Sequence, residues 1–125
     1  MARSYKNLLV WQKGMALAEK AYALASTFPK HEQYALGDQL RRAAVSVPSN
    51  IAEGCGRGTD RDWVHFLGMS LGSLCELETQ VELSKRLGYA DDEAVRPLLE
   101  EARVTGKMLY ALIRKYGEQG AGSEA

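Results

Sequence analysis

Arg41-Arg42-Ala43-Ala44-Val45-Ser46-Val47-Pro48-Ser49-Asn50-Ile51-Ala52-Glu53-Gly54 decides the fold. Read as one helix with the residues before it, it sets Leu36, Leu40, Ala43, Ala44, Val47 and Ile51 on one side at three- and four-residue spacing, an ordinary core stripe. Nearly opposite runs a second stripe, Ala35, Gln39, Arg42, Ser46, Ser49 and Glu53, which is small and polar. Such residues let another backbone approach and then require hydrogen-bond partners, so this stripe reads as a contact surface. Pro48 removes the amide that would bond the carbonyl of Ala44, and a bend is expected there. The apolar spacing continues from Val47 to Ile51, which favours one bent helix from about Glu32 to Ala52 over two short ones. Gly54-Cys55-Gly56-Arg57-Gly58 then reads as a loop.

Upstream, residues 1–7 read as a polar, extended arm. The first helix follows from about Leu8 to Thr27. Trp11, Met15, Ala18, Tyr22 and Ala25 form one row and Leu17, Ala21, Leu24 and Phe28 another, together a broad apolar face. Pro29 disfavours helical geometry at Phe28 and closes it. Downstream, Thr59 offers an N-cap oxygen with Asp62 three residues later. The third helix runs to about Leu87 with a core row of Trp63, Leu67, Ser70, Leu74, Leu77 and Val81. Its far side carries His65, Met69, Gly72, Glu76, Leu83 and Leu87, more apolar than a water-facing side should be. Gly72 costs ~1 kcal/mol of helix propensity relative to alanine, which close backbone approach would justify. Gly88 ends that helix as a C′ glycine. Asp91-Asp92-Glu93 favours a helix start, and Val95, Leu98, Ala102, Thr105, Leu109, Leu112 and Tyr116 repeat at the spacing of left-handed bundle packing. Residues 117–125 read as a disordered tail.

The expected architecture is all-α: an antiparallel up-down-up-down four-helix bundle over residues 8–116, with no sheet. A chain of 125 residues is most economically one domain. Sixteen basic and sixteen acidic residues cancel, so no global field steers it toward nucleic acid or membrane. No apolar run reaches the ~18–20 residues of a membrane span, and the first residues lack the pattern of a signal peptide. The two cysteines, Cys55 and Cys75, form no CxxC pair, which fits a reduced, cytoplasmic setting.

Four segments carry a resemblance to a known family: Tyr5-Lys6-Asn7-Leu8-Leu9-Val10-Trp11-Gln12, the stretch from Leu40 to Gly54, Gly72-Ser73-Leu74-Cys75-Glu76-Leu77-Glu78-Thr79-Gln80 and Ser84-Lys85-Arg86-Leu87-Gly88-Tyr89. On these the chain resembles the small bacterial four-helix bundle proteins, which include proteins encoded in intervening sequences of large-subunit ribosomal RNA genes. A related branch is the accessory protein of diversity-generating retroelements. The resemblance implies an antiparallel four-helix subunit that assembles into a five-fold ring. For the retroelement branch it implies binding of nucleic acid and a reverse transcriptase through a basic surface.

Candidate residues follow. For nucleic acid they are Arg3, Lys6, Lys13, Arg41, Arg57, Lys85 and Arg86, a modest patch that a ring would multiply into a phosphate-binding surface. The bland alternative is a solvated face with intersubunit ion pairs. For the subunit interface they are Arg42, Ser46, Ser49, Glu53, Met69, Gly72, Glu76 and Leu83. Arg42 and Glu53 are too far apart on one helix to pair with each other, so each is expected to find a partner on another helix or subunit. Glu76 or Glu78 would suit Arg42, and Glu78, bordering the core row, is expected to have a partner of its own. Cys75 reads as a small packed residue and Cys55 as a loop residue. The glycine loop fits neither the dinucleotide nor the Walker pattern. Neither His31 nor His65 follows a glutamate by three, so the carboxylate–histidine ligand set of metal-binding bundles is missing. No cofactor, metal site or nucleophile–base pair is expected, and the chain reads as a non-enzymatic binding module. Its partners would be other copies of itself and RNA or DNA. The alternative is a structural or protein-partner adaptor.

Overall fold

The computed structural model describes residues 4–124, with side chains described for residues 4–118. Four helices form: α1 (Leu9–Ala25), α2 (Leu36–Arg57), α3 (Asp60–Arg86) and α4 (Asp92–Glu124). Short 3-10 turns, Tyr5–Asn7 and Lys30–Glu32, precede α1 and α2. Each helix packs on its neighbour in sequence and α4 closes back on α1, so the four stand at the corners of a square. Short connections make neighbours antiparallel. Among the described residues there is no strand.

α2 passes through Pro48 as a single helix, as the continuous apolar spacing requires. One contact accommodates the proline: a Cβ built on Gly14 of α1 would lie 3.4 Å from the Pro48 Cβ, so α1 rests its glycine against the ring. Beside it the Ser70 hydroxyl of α3 donates to the Val47 carbonyl at 2.8 Å. Ser70 is fully buried and therefore had to find an acceptor.

The loop expected at Gly54–Gly58 does not exist. α2 continues to Arg57 and only Gly58 and Thr59 separate it from α3. Gly58 has φ 85° and supplies the left-handed turn. Gly54 serves another purpose: a Cβ there would lie 2.7 Å from the Phe66 Cβ and 3.0 Å from the Trp63 ring, so the missing side chain is what lets α2 and α3 meet. Thr59 caps α3 by accepting from the Asp62 amide at 3.1 Å. At the far end Gly88, φ 80°, closes a Schellman motif, with Gly88 N–H on the Lys85 carbonyl and Tyr89 N–H on that of Ser84. The Asp91 carboxylate then accepts from the Ala94 amide at 2.8 Å and starts α4. α4 extends past Tyr116 to Glu124, so the expected boundary at 116 is not where the helix ends. Ala, Glu and Gln interleaved with its glycines retain helix propensity. The polar arm is also not fully extended, since residues 5–7 turn and seat Tyr5 edge-on to Trp11 at 5.3 Å.

The core rows of α2, α3 and α4 are buried as their spacing predicts, although Leu112 and Tyr116 close the α4 row only half-buried. In α1 the two apolar rows divide. Leu17, Ala21, Leu24 and Phe28 are core, whereas Met15 and Tyr22 remain 39% and 47% exposed and face a groove beside α2. A helix at the corner of a square buries one stripe, and the second row lies about 100° away from it.

Candidate functional site

The polar stripe of α2 meets α3 at Ser73, a buried residue beside the core row of that helix. The Ser73 hydroxyl of α3 lies 2.8 Å from that of Ser46, and Asn50 Nδ2 donates to both the carbonyl and the hydroxyl of Ser46. Ser46 is half-buried, so its hydroxyl serves the α2–α3 seam inside the subunit rather than waiting for another chain. Ser49 and Arg42 stay exposed on the outer edge of α2. Glu53 finds its partner on its own helix, Arg57 at 3.0 Å, which corrects the expectation of one on another helix or subunit. A single i,i+4 step was enough. The Arg57 guanidinium also stacks 5.1 Å above the Phe66 ring. On α3, Met69 and Leu83 are 46% and 43% exposed and Glu76 is exposed. Nothing lies within 4 Å of a Cβ built on Gly72, so the close approach its helix cost implied is not made within this subunit.

Two depressions flank the outer edge of α2 and share Val45. One is lined by Tyr22, Asp38, Arg41, Arg42, Val45 and Ser46. The other holds Tyr5, Trp11, Met15, Ala18, Pro48, Ser49 and Ala52. Together they make an α1/α2 groove, floored by the second apolar row of α1. A third depression runs along the outer side of α3 past Cys75, Glu78, Thr79, Glu82, Leu83 and Arg86. Glu78 is half-buried there without an ion pair among the described residues, against expectation, and burial raises its pKa above the ordinary carboxylate value. The cysteine expectations reverse. Cys75 is exposed, because it falls on the outer side of α3, and Cys55 is buried, because the segment around it is helix and turns it inward.

The candidate cations do not gather at one end of the subunit. Lys6 and Arg57 belong to the end where α1 begins, with Lys13 a little further along α1, and Arg41, Lys85 and Arg86 to the opposite end. Arg41 and Arg57 alone are about 24 Å apart along α2 at 1.5 Å per residue. Arg41 is pinned, donating to the Gln33 carbonyl at 3.2 Å and to its side-chain oxygen at 2.8 Å, with Asp38 at 3.7 Å. Lys85 holds Asp92 at 2.9 Å across the α3–α4 turn. This bond and that of Arg96 keep the Asp92 carboxyl below its ordinary pKa. Lys6, Lys13, Arg42 and Arg86 enter no ion pair among the described residues. Arg3 lies outside those residues.

One cluster escaped the sequence reading. Tyr89, after the α3 stop, donates its hydroxyl to Glu32 Oε2 at 2.6 Å, and Glu32 Oε1 accepts from the Leu36 amide. Phe28 and His31 pack on the Tyr89 ring, 5.9 and 6.1 Å between centroids. Gln33 caps the open carbonyls of Ala25 and Phe28. The two connections at that end are thus clasped together. The bond from Tyr89 is the main reason the Glu32 carboxyl titrates below its ordinary value, and the same bond pushes the Tyr89 phenol up. Residues 57 positions apart in the chain leave no spacing signal.

Among the described residues no three His, Cys, Asp or Glu side chains gather as a metal site, and no helix is long and apolar enough to cross a membrane. The family model for the 23S rRNA-intervening sequence protein matches residues 6–111. No curated protein matches the chain. Among solved structures, a protein of unknown function from the S23 ribosomal protein family of Bacteroides thetaiotaomicron is similar at 22% identity and a TM-score of 0.79, over 84% of this chain and 98% of that one. At that identity the likeness is one of fold.

Proposed function

The chain belongs to the 23S rRNA-intervening sequence protein family, and from that premise we propose that it is a non-catalytic scaffold of the cytoplasm. Its four-helix subunits join into a homo-oligomeric ring, a pentamer on the resemblance described above, that holds a protein partner. The observation that carries the reading is the pairing of two features on one subunit. Met69, Leu83, Val45 and Tyr22 stand exposed on outer faces of α1, α2 and α3, while Arg41, Arg57 and Lys85 are tied to carboxylates within the chain. Exposed apolar side chains that gather in one patch, as Tyr22 and Val45 do beside the same depression, mark association surfaces, and paired cations at opposite ends form a poor track for phosphate.

A second reading, binding of RNA or a ribonucleoprotein, is favoured by the name of the family and by Lys6, Lys13, Arg42 and Arg86, which enter no ion pair among the described residues. Repetition around a ring would multiply these four. The test is titration of structured RNA and duplex DNA into the assembled protein at low and high salt. The scaffold reading expects no binding that depends on salt. Affinity that falls steeply with salt would move the assignment to nucleic acid.

A further inference from the structure

We propose that the α1/α2 groove of one subunit receives the outer side of α3 from a second copy, a head-to-tail contact between two different surfaces. This rests on the oligomeric reading above and specifies which surfaces meet.

Three observations carry it. The groove and the α3 ridge are both apolar where they face outward: Met15, Tyr22 and Val45 are 39%, 47% and 43% exposed, and Met69, Leu83 and Leu87 are 46%, 43% and 50% exposed. The two surfaces are built differently, since the depressions meeting at Val45 lie between α1 and α2, whereas the lining of the α3 surface comes from one helix. On that helix nothing lies within 4 Å of a Cβ built on Gly68 or Gly72, so a second backbone can come close there. Their charges are complementary. Among the described residues Arg42, at the groove, enters no ion pair, nor do Glu76 and Glu82 on the ridge. Seating a ridge in the groove supplies a carboxylate to Arg42 and covers both apolar sets. Because the two surfaces lie on different sides of one subunit, the contact is heterologous, and successive copies close into a ring if the rotation permits.

The native Cys75 lies on the ridge and is exposed, while Cys55 is buried, so the chain carries its own reporter. Ser49 and Met15 both line the groove. Ser49→Cys and Met15→Cys are each oxidised with copper–phenanthroline after light scattering has fixed the mass and circular dichroism the helicity. The expected result, in at least one variant, is a ladder of covalent species above the dimer, which disappears when Cys75→Ser is added. Wild-type dimers linked through Cys75 alone, without a ladder in either variant, mean that ridge meets ridge. Multimeric mass without any cross-link means that other surfaces meet. Both results overturn this contact and leave the oligomeric reading intact. A monomeric mass overturns both together.

Discussion

At the residue scale, the glycines of the α2 terminus separate two kinds of constraint. Gly54 is buried against Phe66 and Trp63, and Gly54→Ala forces one of them to move. The expected cost is about 1–3 kcal/mol, as for overpacking elsewhere. Gly56 lies in the same helix with nothing within 4 Å of its would-be Cβ, and Gly56→Ala is expected to stabilise by about 0.5–1 kcal/mol. Denaturant unfolding of both variants checks the pair, and equal effects would deny that Gly54 is a contact point. The sequence shows a glycine run in either case. It reads as a loop because composition does not distinguish a glycine that turns the chain from one that lets a helix through. Cys55 reads as a loop residue for the same reason, whereas Cys75 lies on a helix the sequence does show, on its outer side.

At the scale of elements, the clasp between the α1–α2 and α3–α4 connections sets a pH dependence. Glu32 titrates below its ordinary value in the fold, chiefly because Tyr89 donates to it. A carboxyl depressed in this way contributes stability that is complete above its unfolded pKa and is lost as pH falls through the folded one. Tyr89→Phe removes the donor, so the variant is expected to melt lower at neutral pH and to lose less on acidification below the usual carboxylate range. Parallel melting curves across that range would show that the bond contributes nothing. Glu78 has the opposite sign, since burial raises its pKa and the charged form is disfavoured in the fold. Glu78→Gln is therefore expected to raise the melting temperature at neutral pH, with the gain shrinking as acid protonates the wild type. The helices themselves were legible, because three of four core rows and the Thr59 and Gly88 boundaries follow from spacing and local hydrogen bonds. The clasp was not, because it joins side chains through the fold rather than through the chain.

At the scale of the whole molecule, the outward stripes on α2 and α3 could be read in advance, and the structure sorts their members. Ser46 is committed to Ser73 and Asn50 within the subunit, and Glu53 to Arg57. Ser49, Met69, Glu76 and Leu83 remain at the surface. A charge at Ser46 would therefore strike the α2–α3 seam as well as any interface, whereas Ser49→Glu changes only an exposed position. Ser49→Glu is expected to lower the assembled mass with helicity unchanged. The cations could be counted in the sequence but not located, since antiparallel helices send sequence-distant residues to the same end and nearby ones to opposite ends.

The most direct test of assembly through these faces is the mass of the wild-type protein by light scattering across a concentration series. The scaffold account predicts a single species at several times the 13.8 kDa of one chain, reduced by Ser49→Glu. A mass of one chain at every concentration would contradict it.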